Sequence, residues 1–313
     1  MIPVVILTAG AGARLGEIGR LFSKALLPVG DCSLLELHLR VFSALGTKKF
    51  IIVTDPSSDS VEAAARRALE GSGAELFVVP QPERRGIGHA ATLAEPWLGG
   101  GPFALVLGDT YYSRPDLAGA VKAIAGGEAD AVLSVRTVSE EADILKECTI
   151  EQAPDGRVLR IIEKPARALS MVKPCGIYFF GPRFMPALKS TRPSALRGEI
   201  ELTDAIQNLI AGGGLVKAME TLRLDVNITY PRDILAANLA WLAERGLPGF
   251  SHPFAALGEG AQLVNSVAAD GALVGAGARL KNCVVFKGGS VPAGAELSDS
   301  LVLKDFTVSG SGS

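Results

Sequence analysis

Residues 4–30, VVILTAGAGARLGEIGRLFSKALLPVG, narrow the choice of fold more than any other stretch of the chain. The apolar run Val4–Leu7 reads as a buried strand. It empties into a loop carrying Gly10, Gly12 and Gly16, and Pro28 rules out a helix interior over the apolar Ala25–Val29. Two cations, Arg14 and Lys24, stand ten residues apart in this stretch. A strand that ends in glycines beside cations has the make-up of a phosphate cradle. Glycines let backbone N–H groups turn toward an anion with no Cβ in the way. Arg14 can fork two phosphate oxygens, and Lys24 can act on them as a point charge. Two other cradles do not fit. A dinucleotide fingerprint needs a third glycine where the chain has Leu15. A P-loop needs Ser or Thr after its lysine, and Ala25 follows Lys24.

Downstream, strand and helix patterns alternate. Ser33-Leu-Leu-Glu36 is a capping box that opens a helix running to about Leu45 and stopping at Gly46. Strands are predicted at Phe50–Val53, Leu76–Val79, Phe103–Leu107 and Ala131–Val135, with helices at Asp59–Glu70 and Asp116–Ala125. This alternation predicts an α/β fold with a mostly parallel sheet and helices on both faces. Ligands of such sheets gather beyond the strand C-terminal ends. A hairpin is expected from Thr149–Glu151 and Val158–Glu163 around Asp155-Gly156. A strand over Lys173–Phe180 and a helix over Ala205–Ala211, capped by Thr203 or Asp204, come next. A strand is then expected to close on Leu222–Asn227, and a helix runs from Pro231 to about Arg245. Gly246-Leu-Pro-Gly249 reads as a linker.

Several side chains at these strand ends can carry chemistry. Gln81 follows the third strand, where its amide can read a base edge, and Gly86 and Gly88 would let the backbone approach. The plainer alternative is a polar surface loop. Asp109 follows the fourth strand and suits either a hard cation or an Asx turn ahead of Pro115. Asn227 is either a further oxygen ligand or a turn residue. Lys+Arg 31 against Asp+Glu 33 gives a net charge of −2, which argues against a general nucleic-acid or membrane-surface role. The apolar Ile2–Leu7 is too short for a signal peptide or a membrane span. Cys32, Cys148, Cys175 and Cys283 show no C-x-x-C pairing, so free thiols in a reducing cytoplasm are expected. His38, His89 and His252 make no metal motif.

The tail repeats itself. Leu263–Arg279 lies on Leu280–Glu296 at an offset of 17 residues, with Leu263/Leu280, Asn265/Asn282, Val267/Val284, Gly271/Gly288, Val274/Val291 and Gly277/Gly294 coinciding. A third copy begins at Leu297. A fixed period of this size signals a solenoid. Small residues at the corners with branched aliphatics between them resemble the hexapeptide left-handed β-helix. Two domains are therefore expected, 1–245 and 252–309. The tail has apolar rungs without clustered charge. It is expected to pack on the first domain or on another subunit of a homo-oligomer, and to carry no chemistry.

The opening stretch resembles the signature of the sugar-1-phosphate nucleotidyltransferases, the NDP-sugar pyrophosphorylases, L-x-A-G-x-G-[TS]-R-L-x-P, then [PS]-K-x-L-L-P-[VI]. Leu7, Ala9, Gly10, Gly12, Arg14, Leu15, Ser23, Lys24, Leu26, Leu27 and Pro28 match it, while Ala13 replaces a hydroxyl residue and Gly16-Glu17 lacks the proline. Gln81, Gly86, Gly88, His89 and Ala90 fit the family's base-reading segment in the form used with uracil or thymine nucleotides. Glu163-Lys164-Pro165 matches the family's E-K-P, which implies Glu163 on sugar hydroxyls and Lys164 on the sugar phosphate. Gly176 would open toward the sugar, and Arg197–Asp204 resembles R-G-E-L-E-I-T-D. Asp109 and Asp225 match the two metal ligands, which implies Mg²⁺.

The resemblance covers about residues 2–245 and implies a Rossmann-like catalytic domain followed by the short left-handed β-helix. It implies a cytoplasmic enzyme whose partners are an NTP, UTP or dTTP favoured, and a sugar 1-phosphate, with no nucleic acid and no membrane. Arg14 would neutralise the leaving pyrophosphate and Lys24 the α-phosphate. Glu147-Cys148 stand where the family has a tyrosine–glycine pair against the sugar. That departure leaves open a cytidylyltransferase of a non-sugar phosphate or phosphonate. A catalytically silent, nucleotide-sugar-binding regulatory subunit is the alternative from another class.

Overall fold

The computed structural model describes residues 1–195 and 198–310. In chain order the main elements begin with β1 (Val4–Leu7), α1 (Leu34–Ala44), β2 (Lys49–Thr54), α2 (Asp59–Ala68), β3 (Glu75–Pro80), α3 (Ile87–Leu93) and β4 (Phe103–Leu107). Next come β5 (Thr110–Tyr112), α4 (Ala118–Ala125), β6 (Ala131–Thr137), β7 (Cys148–Gln152), β8 (Val158–Glu163) and β9 (Val172–Phe180). They end with α5 (Phe184–Lys189), α6 (Leu202–Ala211), β10 (Val216–Glu220), β11 (Asp225–Asn227) and α7 (Pro231–Arg245), after which only short strands follow. By contacts the chain divides into two compact units. One comprises Met1–Gly10, Leu39–Gly108 and Arg114–Leu224; the other comprises Ala11–His38, Asp109–Ser113 and the chain from Asp225 onward.

The first unit is built on a seven-stranded sheet in the order β10-β6-β9-β4-β1-β2-β3. β1 pairs parallel to both β2 and β4, with Val5 opposite Ile51 and Leu105. Val4, Val5 and Ile6 are fully buried, as a strand covered on both faces requires. The alternation of strand and helix sets up this mostly parallel order. β9 is the exception, running antiparallel between β4 and β6. The hairpin arm β7–β8 between β6 and β9 removes the helical crossover that a parallel neighbour would need. Rings of Phe103, Phe180 and Phe184 cluster in the core, with Phe180 and Phe184 stacked.

Two local expectations are corrected. Thr203 and Asp204 lie inside α6, which begins at Leu202 after Glu201, so neither caps it. The strand expected to close on Leu222–Asn227 is two strands. β10 joins the main sheet parallel to β6, and β11 pairs antiparallel with β5 in a separate ribbon. β11 is only three residues long, too few for its alternation to register in the sequence.

The second unit joins distant segments. Phe250–Ser251, Val267–Ala268, Val284–Val285 and Ser300–Val302 stack in one parallel ladder that the antiparallel Thr307–Ser309 closes. Two further parallel ladders place Ala256 on Leu273 on Ser290, and Leu263 on Leu280 on Leu297. Asn265, Asn282 and Asp299 turn the corners at φ 46°, 52° and 47°, a left-handed conformation that Asn and Asp tolerate. The side chain of Asn282 donates to Asp299 Oδ1 at 2.9 Å, one repeat of 17 residues away.

One hydrophobic core runs through this unit. Leu15, Ile18, Leu27 and Val29 from the N-terminal stretch meet Leu235, Trp241 and Leu242 of α7 and Val267, Val284, Phe286 and Leu301 of the ladders. Phe22 and Phe286 bring their rings to 5.6 Å. Val267, Val284 and Leu301 are thus covered within their own unit by α7 and by the glycine-rich stretch, while Val274, Leu280, Val285 and Val291 pack in a second cluster among the ladders.

Candidate active site

Past β1 the chain turns at Gly12, φ 63°, into a single 3₁₀ turn over Ala13–Leu15 that leaves Arg14 exposed to solvent. A Cβ on Gly19 would overlap the Gly12 carbonyl oxygen, so this close approach needs a glycine that the motif reading passed over. Ala9 is buried and Gly10 exposed at the mouth of β1, while Leu7 pairs with Val53 and Leu107. Further along, Asn238 of α7 clamps the end of the stretch. Its Oδ1 accepts from Gly30 N–H at 2.8 Å and its Nδ2 donates to the Pro28 carbonyl at 2.9 Å. A side chain on Gly30 would strike Trp241.

Lys24 does not point freely into solvent. Its Nζ donates to Asp109 Oδ2 at 2.9 Å, with the lysine side chain only 13% exposed. Asp109 also accepts, through its backbone carbonyl, from Ile228 N–H at 2.9 Å. That bond continues the β5–β11 ribbon, in which Asp225 lies opposite Tyr112 and Asn227 opposite Thr110. With side chains alternating along a strand, Asp225 and Asn227 share a face, and Val226 and Tyr111 turn to the other side, into the core of the second unit. Asp109 follows β4 as expected. Asp225, however, opens a strand of the ribbon instead of ending a strand of the parallel sheet. Asp225 is buried and Asn227 exposed.

The base-reading candidates lie in the first unit. Gln81 is buried at the end of β3, its N–H on the Thr54 carbonyl and its Nε2 3.4 Å from His89 Nδ1. The loop behind it is tied down by Arg84, whose Nε donates to the Ala9 carbonyl at 3.1 Å and whose Nη2 donates to Asp55 Oδ2 at 2.6 Å. Hydrogen bonds from Ser57, reinforced by the Arg84 guanidinium, hold the Asp55 carboxyl below its usual range. The side of Gly86 where a Cβ would project is filled by the Ile200 carbonyl, and Gly88 N–H donates to that same oxygen at 2.8 Å.

The acceptor candidates also belong to the first unit. Glu163 ends β8 opposite Cys148, and Thr203 Oγ1 donates to its Oε2 at 3.3 Å. Thr203 thus meets the acid that it was not expected to touch. Lys164 follows, exposed, with φ 39°. Its N–H donates to the Glu147 carbonyl at 2.6 Å. Lys173 of β9, buried, sets its Nζ 3.3 Å from Glu147 Oε1. Gly176, φ 73°, lies where the β9 register on β6 breaks between Pro174 and Tyr178. Burial, and then the Glu163 and Glu147 carboxylates, push the Cys148 thiol well above its usual range. Arg197 lies outside the described residues. The sequence reading missed Arg84, Asp55, Lys173 and the Lys24–Asp109 pair. A lysine inside the apolar run KPCGIYFF was the one visible signal.

Among the described residues no group of three or more His, Cys, Asp and Glu side chains could hold a metal by itself. The acids of the second unit offer hard oxygen donors in small number. Such a set fits a cation that completes its shell with phosphate oxygens and water, as Mg²⁺ does.

A mostly parallel sheet with helices along it places the chain in the α/β class. A family model described as nucleotidyl transferase matches residues 3–234, and the chain belongs to that family. Among the relatives, a glucose-1-phosphate thymidylyltransferase of Streptomyces griseus is 31% identical over 216 residues, which are 68% of this chain and 59% of that protein. The chain therefore spans about three fifths of that relative's length. A second glucose-1-phosphate thymidylyltransferase, from Actinoplanes sp., is 32% identical over 218 residues, 67% of this chain and 68% of its own. The solved structure of UDP-glucose pyrophosphorylase complexed with UDP-glucose matches at a TM-score of 0.69 and 22% identity, covering 78% of this chain and 100% of that one. That likeness is one of fold. No helix among the described residues is long and apolar enough to cross a membrane.

Proposed function

We propose that the chain condenses an NTP, with UTP or dTTP favoured, and a sugar 1-phosphate into an NDP-sugar and pyrophosphate. The observation that carries this reading is the Lys24–Asp109 pair, which fixes an ammonium in a largely buried place on the glycine-rich stretch. A fixed charge stabilises a phosphoryl transition state without reorganising at the moment of reaction. The nearest chemistry among the relatives is thymidylyl transfer to glucose 1-phosphate.

In this reading a phosphate oxygen of the acceptor attacks the α-phosphorus in line, and pyrophosphate leaves. No covalent enzyme intermediate is required, so the residues position and neutralise. Gly10, Gly12 and the backbone around Leu7 and Ala9 cradle the nucleotide. Arg14 neutralises the departing pyrophosphate. Lys24, oriented by Asp109, stabilises the added charge on the α-phosphate. Gln81 and the Gly86 loop read the base edge, a role in which a buried amide discriminates by donor and acceptor order. Lys164 holds the acceptor phosphate, Glu163 and the Gly176 backbone take sugar hydroxyls, and Arg197 adds a cation. Asp109 and Asp225 would hold Mg²⁺, which supplies charge neutralisation on both phosphates when bound. The homo-oligomer, the cytoplasmic setting, the 1–245 and 252–309 domains and the left-handed winding of the ladders belong to the same proposal.

The test is pyrophosphate release from a matrix of NTPs against sugar 1-phosphates, with and without EDTA. Turnover with dTTP or UTP well above GTP and ATP, abolished by EDTA, is expected. Asp225→Asn is expected to lower kcat by roughly 10² or more. Faster turnover with GTP would overturn the base assignment, and near-normal kcat in Asp225→Asn at saturating Mg²⁺ would overturn the metal role.

A further inference from the structure

We propose that the ion pair between the buried Lys173 and the partly exposed Glu147 is a strut that holds Lys164 in the backbone conformation from which it grips the acceptor phosphate. The proposal rests on the reading of Lys164 given above and deepens it.

Lys164 has φ 39°, a left-handed conformation that a residue with a Cβ adopts only against a steric cost. Such a conformation persists where the surroundings over-determine it. The surroundings here are specific. β8 runs in register with β7 as far as Glu163, opposite Cys148, and regular pairing stops there. The next N–H, that of Lys164, then reaches the Glu147 carbonyl at 2.6 Å. The geometry of Lys164 is therefore set by where the Glu147 backbone sits.

Glu147 belongs to no strand. It lies between the short helix Glu141–Leu145 and the first residue of β7, with its N–H on the Ile144 carbonyl. Its side chain supplies the lateral restraint, reaching Lys173 Nζ at 3.3 Å. Lys173 is anchored in β9 opposite Arg136, and its side chain is only 5% exposed. An ammonium so far from water is costly without a carboxylate partner, which favours a single placement of Glu147. The lysine end of the pair is shielded from water, while the carboxylate end is 33% exposed. The setting is a dry one, because burial is the main cause that raises the Cys148 thiol and the Tyr178 hydroxyl beside it. A continuous path therefore runs from the β9 strand through Lys173, the Glu147 carboxylate and the Glu147 carbonyl to the Lys164 N–H. In this proposal Lys173 and Glu147 are positioning residues that act on the substrate through Lys164.

The experiment uses the full chain with dTTP and glucose 1-phosphate, measuring KM for each substrate, kcat and Tm. Three proteins are set beside the unaltered one: Lys164→Met, Lys173→Arg, and Glu147→Gln combined with Lys173→Met. The double variant removes both charges, so no unpaired buried charge remains. It is expected to raise the acceptor KM roughly tenfold or more, as misplacing a binding group does. Nucleotide KM and Tm are expected to stay near their original values, and Lys173→Arg to keep most of the acceptor affinity. Should the double variant not fold, Glu147→Gln alone carries the comparison, because that side chain is 33% exposed and tolerates an isosteric change.

An unchanged acceptor KM in the double variant, while Lys164→Met raises it, overturns the strut and leaves the role of Lys164 standing. A parallel rise of both KM values with a falling Tm also overturns it, since that pattern is a general structural loss. An unchanged acceptor KM in Lys164→Met, or no turnover in the unaltered enzyme, overturns the reading of the site and the strut with it.

Discussion

The two compact units reach stability by different routes. The first buries a seven-stranded sheet of long-range pairings, with phenylalanines stacked at its centre and helices along it. The second has no large sheet. It gathers the glycine-rich stretch, the ribbon β5–β11, α7 and the ladders around one apolar core contributed by segments far apart in sequence. Within the second unit charges are handled in two ways. Along the ladders they pair with the neighbouring repeat, as Lys287 does with Asp270 and Arg279 with Glu296. Just before the ribbon, Asp109 pairs instead with Lys24, 85 residues away. A motif that reads as self-contained, the glycine-rich stretch, thus depends for its support on residues more than two hundred positions later, such as Asn238.

The strongest way to break this comparison is Phe286→Ala. Phe286 is fully buried in the ladders and packs on Phe22, two residues before Lys24. Removing the ring is expected to cost about 3–5 kcal/mol, as for other buried aromatics. If the shared core supports the glycine-rich stretch, kcat falls with stability. A melting curve lowered with kcat unchanged in the folded fraction would show that the ladders and that stretch are independent.

The next effect is in acid. His38 is buried in the middle of α1, its Nε2 has no hydrogen-bond partner among the described residues, and its ring lies 5.4 Å from Tyr112 of β5. Burial lowers its pKa from 6.5 to about 4. The folded state therefore refuses a proton that the unfolded chain accepts. Above pH 6.5 the group leaves stability unchanged, and stability is lost progressively as the pH falls from 6.5 toward 4. The loss saturates near 3 kcal/mol, to order of magnitude. Urea midpoints against pH for the unaltered protein and for His38→Phe check this, because the substituted chain should lack that part of the slope.

The smallest effect sharpens the contrast in charge handling. Arg279 and Glu296 pair at 3.1 Å with side chains 66% and 71% exposed. Arg279→Ala is expected to change stability by less than about 1 kcal/mol, and less still in high salt. A larger loss would mean that the ladders rest on their surface pairs and not on their apolar rungs.

Much of this architecture was legible before any coordinates. β1, the Ser33–Glu36 box that opens α1, and the repeat in the tail stand where the sequence reading puts them, because each rests on local signals. Ser33 and Glu36 exchange their hydrogen bonds at 2.8–3.3 Å. The candidate site residues were chosen by type and spacing, but the partners the fold gives them were not legible. Nothing near Lys24 announces Asp109, 85 residues away, and nothing near Glu147 announces Lys173, 26 residues away. The antiparallel insertion of β9 and the three-residue β11 escaped for a related reason, since pairing direction and very short strands leave little trace in periodicity.

The sequence by itself determined the alternation that makes an α/β sheet, the glycine-rich turn after its first strand, Asp109 past its fourth strand and the period of the tail. All follow from propensity, patterning and spacing within a few residues. The tertiary structure alone decided that Lys24 is held by Asp109, that Asp225 belongs to a ribbon outside the main sheet, and that the ladders and the glycine-rich stretch share a core. The physical reason is common to the three. Each is a contact between segments distant in the chain, selected by burial and charge pairing in the folded state, and no local run of residues encodes it.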